Sequence, residues 1–193
     1  MLLVGGCRTP PGLDLHPIPV GVTVDQHLAY YDVTAATLAD LRQGIRQAGP
    51  RDQGRRWGAV TTWWLTWSAQ STRIGGNMCE LRRPRVRVQT AITFPRWNPI
   101  APPDSSLLAW WQQYNTGLAE HERGHALLAV AGAGEIVKAL DGLHGVCESL
   151  MLSANARFQN ALVTLNRKEE EYDRTTIHGA TQIMAARRLT EPN

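Results

Sequence analysis

The stretch Asp104–Ala129 has the sequence DSSLLAWWQQYNTGLAEHERGHALLA and largely determines the fold. Its inward residues recur at alternating spacings of four and three, which is typical of a helix that presents one stripe to a partner. The stripe consists of Leu107, Trp111, Tyr114, Leu118, His121, His125 and Leu128. Asp104 is a good N-cap, so we predict a long helix from that residue to about Leu143.

The motif His121-Glu122-Arg123-Gly124-His125 lies within this helix and has the pattern HExxH. Residues four apart share a helix face, so both imidazoles can bind one metal ion. Glu122 can then lie beside a metal-coordinated water without binding the metal itself, and act as general base. The motif therefore predicts a Zn²⁺ site with Glu122 as a catalytic residue. The alternative is two core histidines that are satisfied by hydrogen bonds.

A catalytic zinc ion usually has three protein ligands, so a third must come from elsewhere in the chain. The sequence predicts a second long helix over about residues 149–174. If the two helices form an antiparallel hairpin that turns near Gly145, His121 lies level with about residue 169 and His125 with about residue 165. The segment 169–179 then returns to the metal. Its acidic run Glu169–Glu171 is otherwise typical of a solvated helix face.

The plausible third ligands in this segment are Glu170, Asp173 and His178. We favour His178, because it follows the predicted helix end and Gly179 allows the backbone to turn the imidazole inward. Asp173 is an alternative ligand, or an acceptor that holds a ligand histidine by its other ring nitrogen. Tyr172 is a candidate to polarise the substrate carbonyl or stabilise the oxyanion, with core packing as the alternative.

The chain before the long helix alternates between apolar and polar residues, which is typical of strands with one face in solvent. The predicted strands are Val20–Val24, Leu28–Val33, Val60–Trp67 and Arg85–Phe94, with a turn at Gly75-Gly76-Asn77 and a short helix Ala35–Ala48 capped by Thr34. The predicted fold class is α+β. An antiparallel sheet and one short helix would pack on a long two-helix hairpin that carries the HExxH zinc site.

Length and composition are typical of one globular domain. The chain has 193 residues, of which 43% are hydrophobic and 19% charged. Its longest near-apolar stretch, Ala126–Ala133, is far shorter than the ~20 residues of a membrane span. We expect an extended, proline-containing leader over residues 1–19, a single zinc-hydrolase-like domain over 20–186 and a tail over 187–193.

The charge pattern does not favour a nucleic-acid partner. The formal net charge is +3, and 18 of the 20 basic residues are arginine. They are dispersed along the chain apart from Arg82, Arg83, Arg85 and Arg87, which we place on a solvated strand face. A nucleic-acid binder usually concentrates its charge on one face beside aromatic platforms.

The three cysteines indicate the compartment. There is no CxxC pair, so a thiolate zinc ribbon is excluded. Cys79 and Cys147 could form a disulfide, which would fit an oxidising compartment; the alternative is two buried thiols. Cys7 follows Leu3-Val4-Gly5-Gly6, which looks like the end of a lipoprotein signal and suggests membrane anchoring through a lipidated cysteine. An incidental cysteine is the alternative.

Several segments together resemble one bacterial family. They are Tyr30-Tyr31-Asp32-Val33-Thr34, the strand Trp63–Trp67, Pro95-Arg96-Trp97, Cys79 and Cys147, the HExxH motif, and Tyr172-Asp173-Arg174-Thr175-Thr176-Ile177-His178-Gly179. Over about residues 20–182 the chain is similar to predicted secreted zinc-dependent proteases, catalogued as domain of unknown function 922. The resemblance implies metal dependence and an extracytoplasmic setting more firmly than any substrate.

These observations predict a zinc metallopeptidase in which His121, His125 and His178 bind the metal and Glu122 is the general base. Its partner would be a peptide or protein substrate. One alternative is a cell-envelope metal-binding protein without catalysis, which a fourth protein ligand would support. A second is a zinc amidase that acts on cell-wall amides, since the same chemistry serves both bonds. A nucleic-acid binder that depends on arginine is a third.

Overall fold

The computed structural model describes residues 13–52 and 54–190. The first twelve residues of the predicted leader, including Cys7, and the last three residues of the predicted tail lie outside these ranges. Leu15, in the remaining part of the leader, is buried against the core. The final helix extends to Thr190, into the segment that we predicted as a tail.

The described chain is α+β, as predicted. Its strands are β1 (Val22–Ala35), β2 (Arg51–Asp52), β3 (Arg55–Arg56), β4 (Val60–Gly75), β5 (Met78–Pro99) and β6 (His144–Val146). Its helices are α1 (Leu38–Ala48), α2 (Ser105–Leu140), α3 (Cys147–Thr176) and α4 (Ala180–Thr190). The main sheet has the order β1-β5-β4, and the short β6 also pairs with β5.

The main sheet is mixed, so the prediction of an antiparallel sheet is wrong for one pair. β4 and β5 are antiparallel, because the tight turn at Gly76-Asn77 joins them directly. β1 pairs with β5 in parallel, from Val22 opposite Val86 to Ala35 opposite Pro99. Alternating side chains reveal which face a residue takes but not the direction of a strand. Because α1 and β4 separate β1 from β5, the connection is long enough for parallel pairing.

The predicted solvent face of the sheet is confirmed. Val86, Val88, Ile92 and Phe94 of β5 are fully buried against the helices, whereas the neighbouring Arg85 and Arg87 are exposed. β5 continues beyond its predicted end at Phe94, through Pro95 to Pro99. The reason is that Trp97 is buried there and its indole Nε1 donates to the Ala35 carbonyl, 3.0 Å away.

Helices α2 and α3 lie on the buried face of the sheet and contact each other in reverse residue order. Gly132 faces Leu165, His125 meets Glu169, and His121 meets Asp173. Each partner of His121 and His125 is four residues later than we predicted, which is about one helical turn. The two helices are joined through β6, and α3 begins only at Cys147.

The helix caps follow local chemistry. Asp104 caps α2 as predicted, because its carboxylate accepts from the Leu107 amide at 2.8 Å. α1 begins at Leu38, with Thr37 as its cap, rather than at Ala35 after Thr34. Thr34 is unavailable as a cap because it still belongs to β1, where it pairs with Asn98.

A disulfide joins Cys79 at the start of β5 to Cys147 at the start of α3, as the cysteine pattern suggested. It fastens the first turn of α3 to the sheet. Within the described range, no helix is both long and apolar enough to cross a membrane.

Removing this disulfide should lower the stability of the fold. Cys79 and Cys147 are 68 residues apart, and a closed loop of that size is worth about 4 kcal/mol of unfolding free energy. We expect the double variant Cys79→Ser/Cys147→Ser to lose stability on that scale in urea unfolding followed by circular dichroism. Cys7→Ser is the matched control, because Cys7 takes no part in this bond. An unchanged unfolding midpoint in the double variant would contradict the prediction.

Candidate metal centre

Three side chains from two helices meet at one point. Nε2 of His121 lies 3.2 Å from Nε2 of His125, and both nitrogens approach Oδ1 of Asp173, at 3.2 and 3.0 Å. Within residues 13–52 and 54–190, this is the one group of histidine, cysteine and acidic side chains arranged closely enough to hold a metal ion. The structure therefore groups Asp173, the alternative that we considered, with the two histidines of the motif.

The spacing of these three atoms fits zinc. Tetrahedral zinc with bonds of 2.0–2.1 Å places neighbouring ligand atoms about 3.3 Å apart. The other ring nitrogens have separate partners: Nδ1 of His125 contacts the Glu169 carboxylate, and Nδ1 of His121 lies 3.4 Å from the Thr176 hydroxyl. Since the Thr176 hydroxyl donates to the Tyr172 carbonyl, it can accept from His121. Both Nε2 atoms thus face Asp173, and each would offer a lone pair to a metal ion that displaced any proton held there.

The charges around this point favour a cation. Burial opposes ionisation of Asp173, but its hydrogen bonds to His121 and His125 hold the pKa of this carboxyl well below its usual range. Burial also opposes a charge on His125, yet its bonds to Asp173 and Glu169 raise the pKa of the imidazole to about 10. Two carboxylates therefore stabilise positive charge at the point where the three ligand atoms converge.

Glu122 lies beside this cluster and is held by the sheet. Its carboxylate is buried, and Oε2 accepts a hydrogen bond from the Thr61 hydroxyl of β4 at 2.7 Å. Burial raises the pKa of Glu122, while the bond from Thr61 and the neighbouring histidines act in the opposite direction. A carboxylate in such surroundings is suited to accept and release a proton near neutral pH.

Glu169 is the main site residue that we did not predict. We treated the run Glu169–Glu171 as a solvated face, but the Glu169 side chain is only 14% exposed and contacts Nδ1 of His125. Its second oxygen, Oε1, is buried and has no hydrogen-bond partner. The four-residue spacing from Glu169 to Asp173 places both on one face of α3 and was a usable signal. Thr61 carried no such signal, because β4 is 61 residues away from Glu122.

Replacing Glu169 by glutamine should weaken metal binding without removing it. The carboxylate orients His125 and increases its basicity, and loss of such a partner typically costs about 10–100-fold in metal affinity. We expect a shift of that size in the zinc Kd, measured by competition with a chromophoric chelator. Glu170→Gln is the matched control, because Glu170 is exposed. Equal Kd values for both variants would contradict a role for Glu169 in orienting His125.

Tyr172 packs against both histidines of the motif. Its ring stacks on His121, with ring centres 5.2 Å apart, and its hydroxyl donates to the His121 carbonyl at 3.3 Å. Gln182 of α4 donates to the same hydroxyl. Gly124 makes room for this ring, since a Cβ there would lie 2.0 Å from the Tyr172 oxygen. This placement corresponds to the packing role that we considered beside the catalytic one.

His178 lies near the cluster but is not part of it. Its Nδ1 is 3.6 Å from Oδ1 of Asp173, its ring packs against Trp57, and its side chain is 46% exposed. The backbone turns here as expected, with positive φ at Ile177, His178 and Gly179. Glycine is required at position 179 for two reasons. Its φ is 84°, and a Cβ there would lie 3.0 Å from the His121 ring. Glu170 is exposed and outside the cluster.

Comparison with known proteins identifies one family. A model described as a bacterial protein of unknown function (DUF922) matches residues 28–179, which include every residue of the candidate metal centre. No curated protein and no solved structure matches this chain. The matched range covers most of the chain, from β1 to the turn after α3.

Proposed function

Since the chain belongs to the bacterial family DUF922, whose function is unknown, its activity has to be inferred from its site, and we propose that it is a zinc-dependent metallopeptidase. One observation carries the proposal. The atoms His121 Nε2, His125 Nε2 and Asp173 Oδ1 form a triangle with sides of 3.0–3.2 Å beside the buried carboxylate of Glu122. Three such ligands leave a coordination position for water or substrate, as in catalytic zinc sites.

His121, His125 and Asp173 would hold the ion. Zinc bound by three protein ligands lowers the pKa of a coordinated water to about 7 and polarises a substrate carbonyl. Glu169 and Thr176 fix the two imidazoles through their Nδ1 atoms, so that Nε2 of each remains aimed at the site. Tyr172 holds His121 in place, because its ring stacks on the imidazole and its hydroxyl donates to the His121 carbonyl.

Glu122 would move the proton in this reaction. Thr61 holds its Oε2, so Oε1 is the oxygen that we assign to accept a proton from the attacking water. As the water oxygen bonds to the peptide carbonyl carbon and the C–N bond breaks, Glu122 passes that proton to the leaving amine. Burial of Glu122 supports this role, because it raises the pKa of the carboxyl toward the range in which a proton is both taken and released.

The disulfide supports an extracytoplasmic location as part of this proposal. Disulfides persist in oxidising compartments and are rare in the cytosol. Cys79 and Cys147 form such a bond between β5 and α3. We therefore propose that the peptidase works outside the cytoplasm, on peptides or proteins of that compartment.

The direct test combines elemental analysis with a substrate screen of the purified full chain. We expect about one zinc per chain, cleavage within a mixed peptide library detected by mass spectrometry, and loss of cleavage on chelation that zinc restores. The same screen is repeated with purified cell wall as the substrate. Cleavage of cell wall alone would replace the peptidase by an amidase. Bound zinc without hydrolysis in either arm would favour a metal-binding protein, and failure to take up zinc would overturn the hydrolase proposal.

A further inference from the structure

A cavity lies between α1, α2 and α4, and its lining does not include His121, His125 or Asp173. Its volume is about 360 Å³, within the range of about 300–1,000 Å³ of small-molecule sites. Its wall includes Arg42, Ile45 and Arg46 of α1, Trp110 and Tyr114 of α2, and Ile183 of α4. None of these residues belongs to the HExxH motif or contacts Asp173.

Two guanidinium groups supply the charge of this cavity. Arg42 and Arg46 are four residues apart on α1 and therefore share one helix face. In the part of the chain that the structure describes, neither forms an ion pair with a carboxylate. Arg42 instead lies over the Trp110 ring, 5.4 Å from its centre. The pair thus presents two uncompensated positive charges at the edge of the cavity, where an anion would be favoured.

Apart from Gln113, the rest of the wall is mostly apolar, and its stacked aromatic rings are already in contact with other groups. Trp110 stacks on Tyr114 with ring centres 5.1 Å apart and planes within 9°, while Arg42 covers Trp110. A flat aromatic ligand would therefore find no free ring face in this pair. Ile45 of α1 and Ile183 of α4 contribute aliphatic surface to the cavity. The surface therefore suits an aliphatic body rather than a planar ring.

The α4 side of the cavity is held firmly against α2. A Cβ on Gly117 would lie 2.3 Å from the Ile183 Cα, so the two backbones are in direct contact there. The neighbouring Gln182 donates to the Tyr172 hydroxyl at 3.1 Å, which ties the same turn of α4 to α3. The part of the wall that α2 and α4 form is thus fixed by contacts within the protein.

From this arrangement we propose that the cavity binds an aliphatic carboxylate, with its carboxylate between Arg42 and Arg46 and its hydrocarbon chain against Ile45 and Ile183. Arginine suits this task because its planar fork matches the two oxygens of a carboxylate. The apolar chain adds affinity in proportion to the area that it removes from water. The inference is independent of zinc and of hydrolysis.

The test is isothermal titration of the full chain with decanoate, with decyltrimethylammonium as a probe of the same tail and opposite charge. We expect decanoate to bind with a Kd on the order of 10⁻⁴ M and the cationic probe not to bind. The double variant Arg42→Gln/Arg46→Gln should weaken decanoate binding by at least about tenfold. Arg85→Gln/Arg167→Gln makes the same change of charge on exposed residues of β5 and α3, and should bind as the wild type does.

Three outcomes would overturn the proposal. Equal binding of both probes would indicate adsorption to apolar surface without recognition of the anion. Unchanged decanoate binding in Arg42→Gln/Arg46→Gln, with circular dichroism showing a native fold, would place the ligand elsewhere. Tighter binding of a short apolar peptide with a free C-terminus than of decanoate would replace the aliphatic ligand by a peptide. Loss of zinc would affect none of these measurements, which separates this inference from the proposed peptidase.

Discussion

Glu122→Gln is expected to lose about 10²–10⁴-fold in hydrolysis while the protein keeps its zinc. Glutamine preserves the size of the side chain and can still accept the hydrogen bond from Thr61 through its amide oxygen. It cannot take up and release a proton, so the transfer from water to the leaving amine is lost. Because Glu122 is outside the ligand triangle, the metal content should remain at about one per chain. The measurements are the rate of cleavage of a peptide identified by the library screen, and elemental analysis.

Glu120→Gln provides the control for this experiment. Glu120 lies on the same helix two residues earlier, but its side chain is 61% exposed and faces Arg123 at 3.9 Å. The substitution removes the same charge from the same turn and should leave the rate within about twofold of wild type. If Glu122→Gln kept half of the wild-type rate, Glu122 would not be the general base. If the variant lost its zinc, the carboxylate would have to be counted among the ligands.

Asp173→Ala is expected to abolish stoichiometric zinc binding, whereas His178→Ala is expected to retain it. In the proposed site Asp173 supplies one of three ligand atoms, so its loss should exceed the roughly 10–100-fold cost of losing a partner outside the ligand set. His178 has a 46% exposed side chain and approaches Asp173 only at 3.6 Å. The measurement is zinc affinity by chelator competition, with metal content after desalting as an independent readout.

The pair of variants decides between the two candidate ligands directly. Circular dichroism of both variants separates loss of a ligand from loss of the fold. Zinc retained in Asp173→Ala but lost in His178→Ala would restore the three-histidine site that the sequence first suggested. His121→Ala should lose zinc in either case and serves as the positive control, because both ligand sets include it.

Much of the site could be predicted because its signals are local. The HExxH motif places two imidazoles on one face through helix geometry alone, and Asp104 marks the start of α2 through its own side chain. The alternation of β5 identified its buried face, since Val86, Val88 and Ile92 follow a period of two. Each of these inferences depends on residues within a few positions of one another.

The predictions that differ from the structure concern contacts between segments that are far apart in the sequence. The parallel pairing of β1 with β5 joins Val22 to Val86, and no local pattern encodes strand direction across such a distance. The preference for His178 over Asp173 rested on the predicted helix end and on Gly179, whereas the observed register places Asp173 level with His121. We placed the turn near Gly145, whereas β6 occupies that position and α3 begins at Cys147. Glu169 was missed because we interpreted the acidic run Glu169–Glu171 as a solvated helix face, although residue 169 already lay in the segment predicted to return to the metal.

The disulfide at the start of α3 fixes one end of this helix, so the number of residues from Cys147 determines where Asp173 lies. α3 has 30 residues and is therefore about 45 Å long, with Cys147 fixed to the sheet at one end and Asp173 in the last turn at the other. One extra residue anywhere between them would rotate Asp173 by about 100° and turn it away from both imidazoles. Seven extra residues would restore its direction but displace it by about 10 Å. The proposed metal site therefore constrains the chain length between Cys147 and Asp173 as well as the identity of its three ligands. We expect substitutions on the exposed face of α3 to be tolerated, and insertions or deletions not to be.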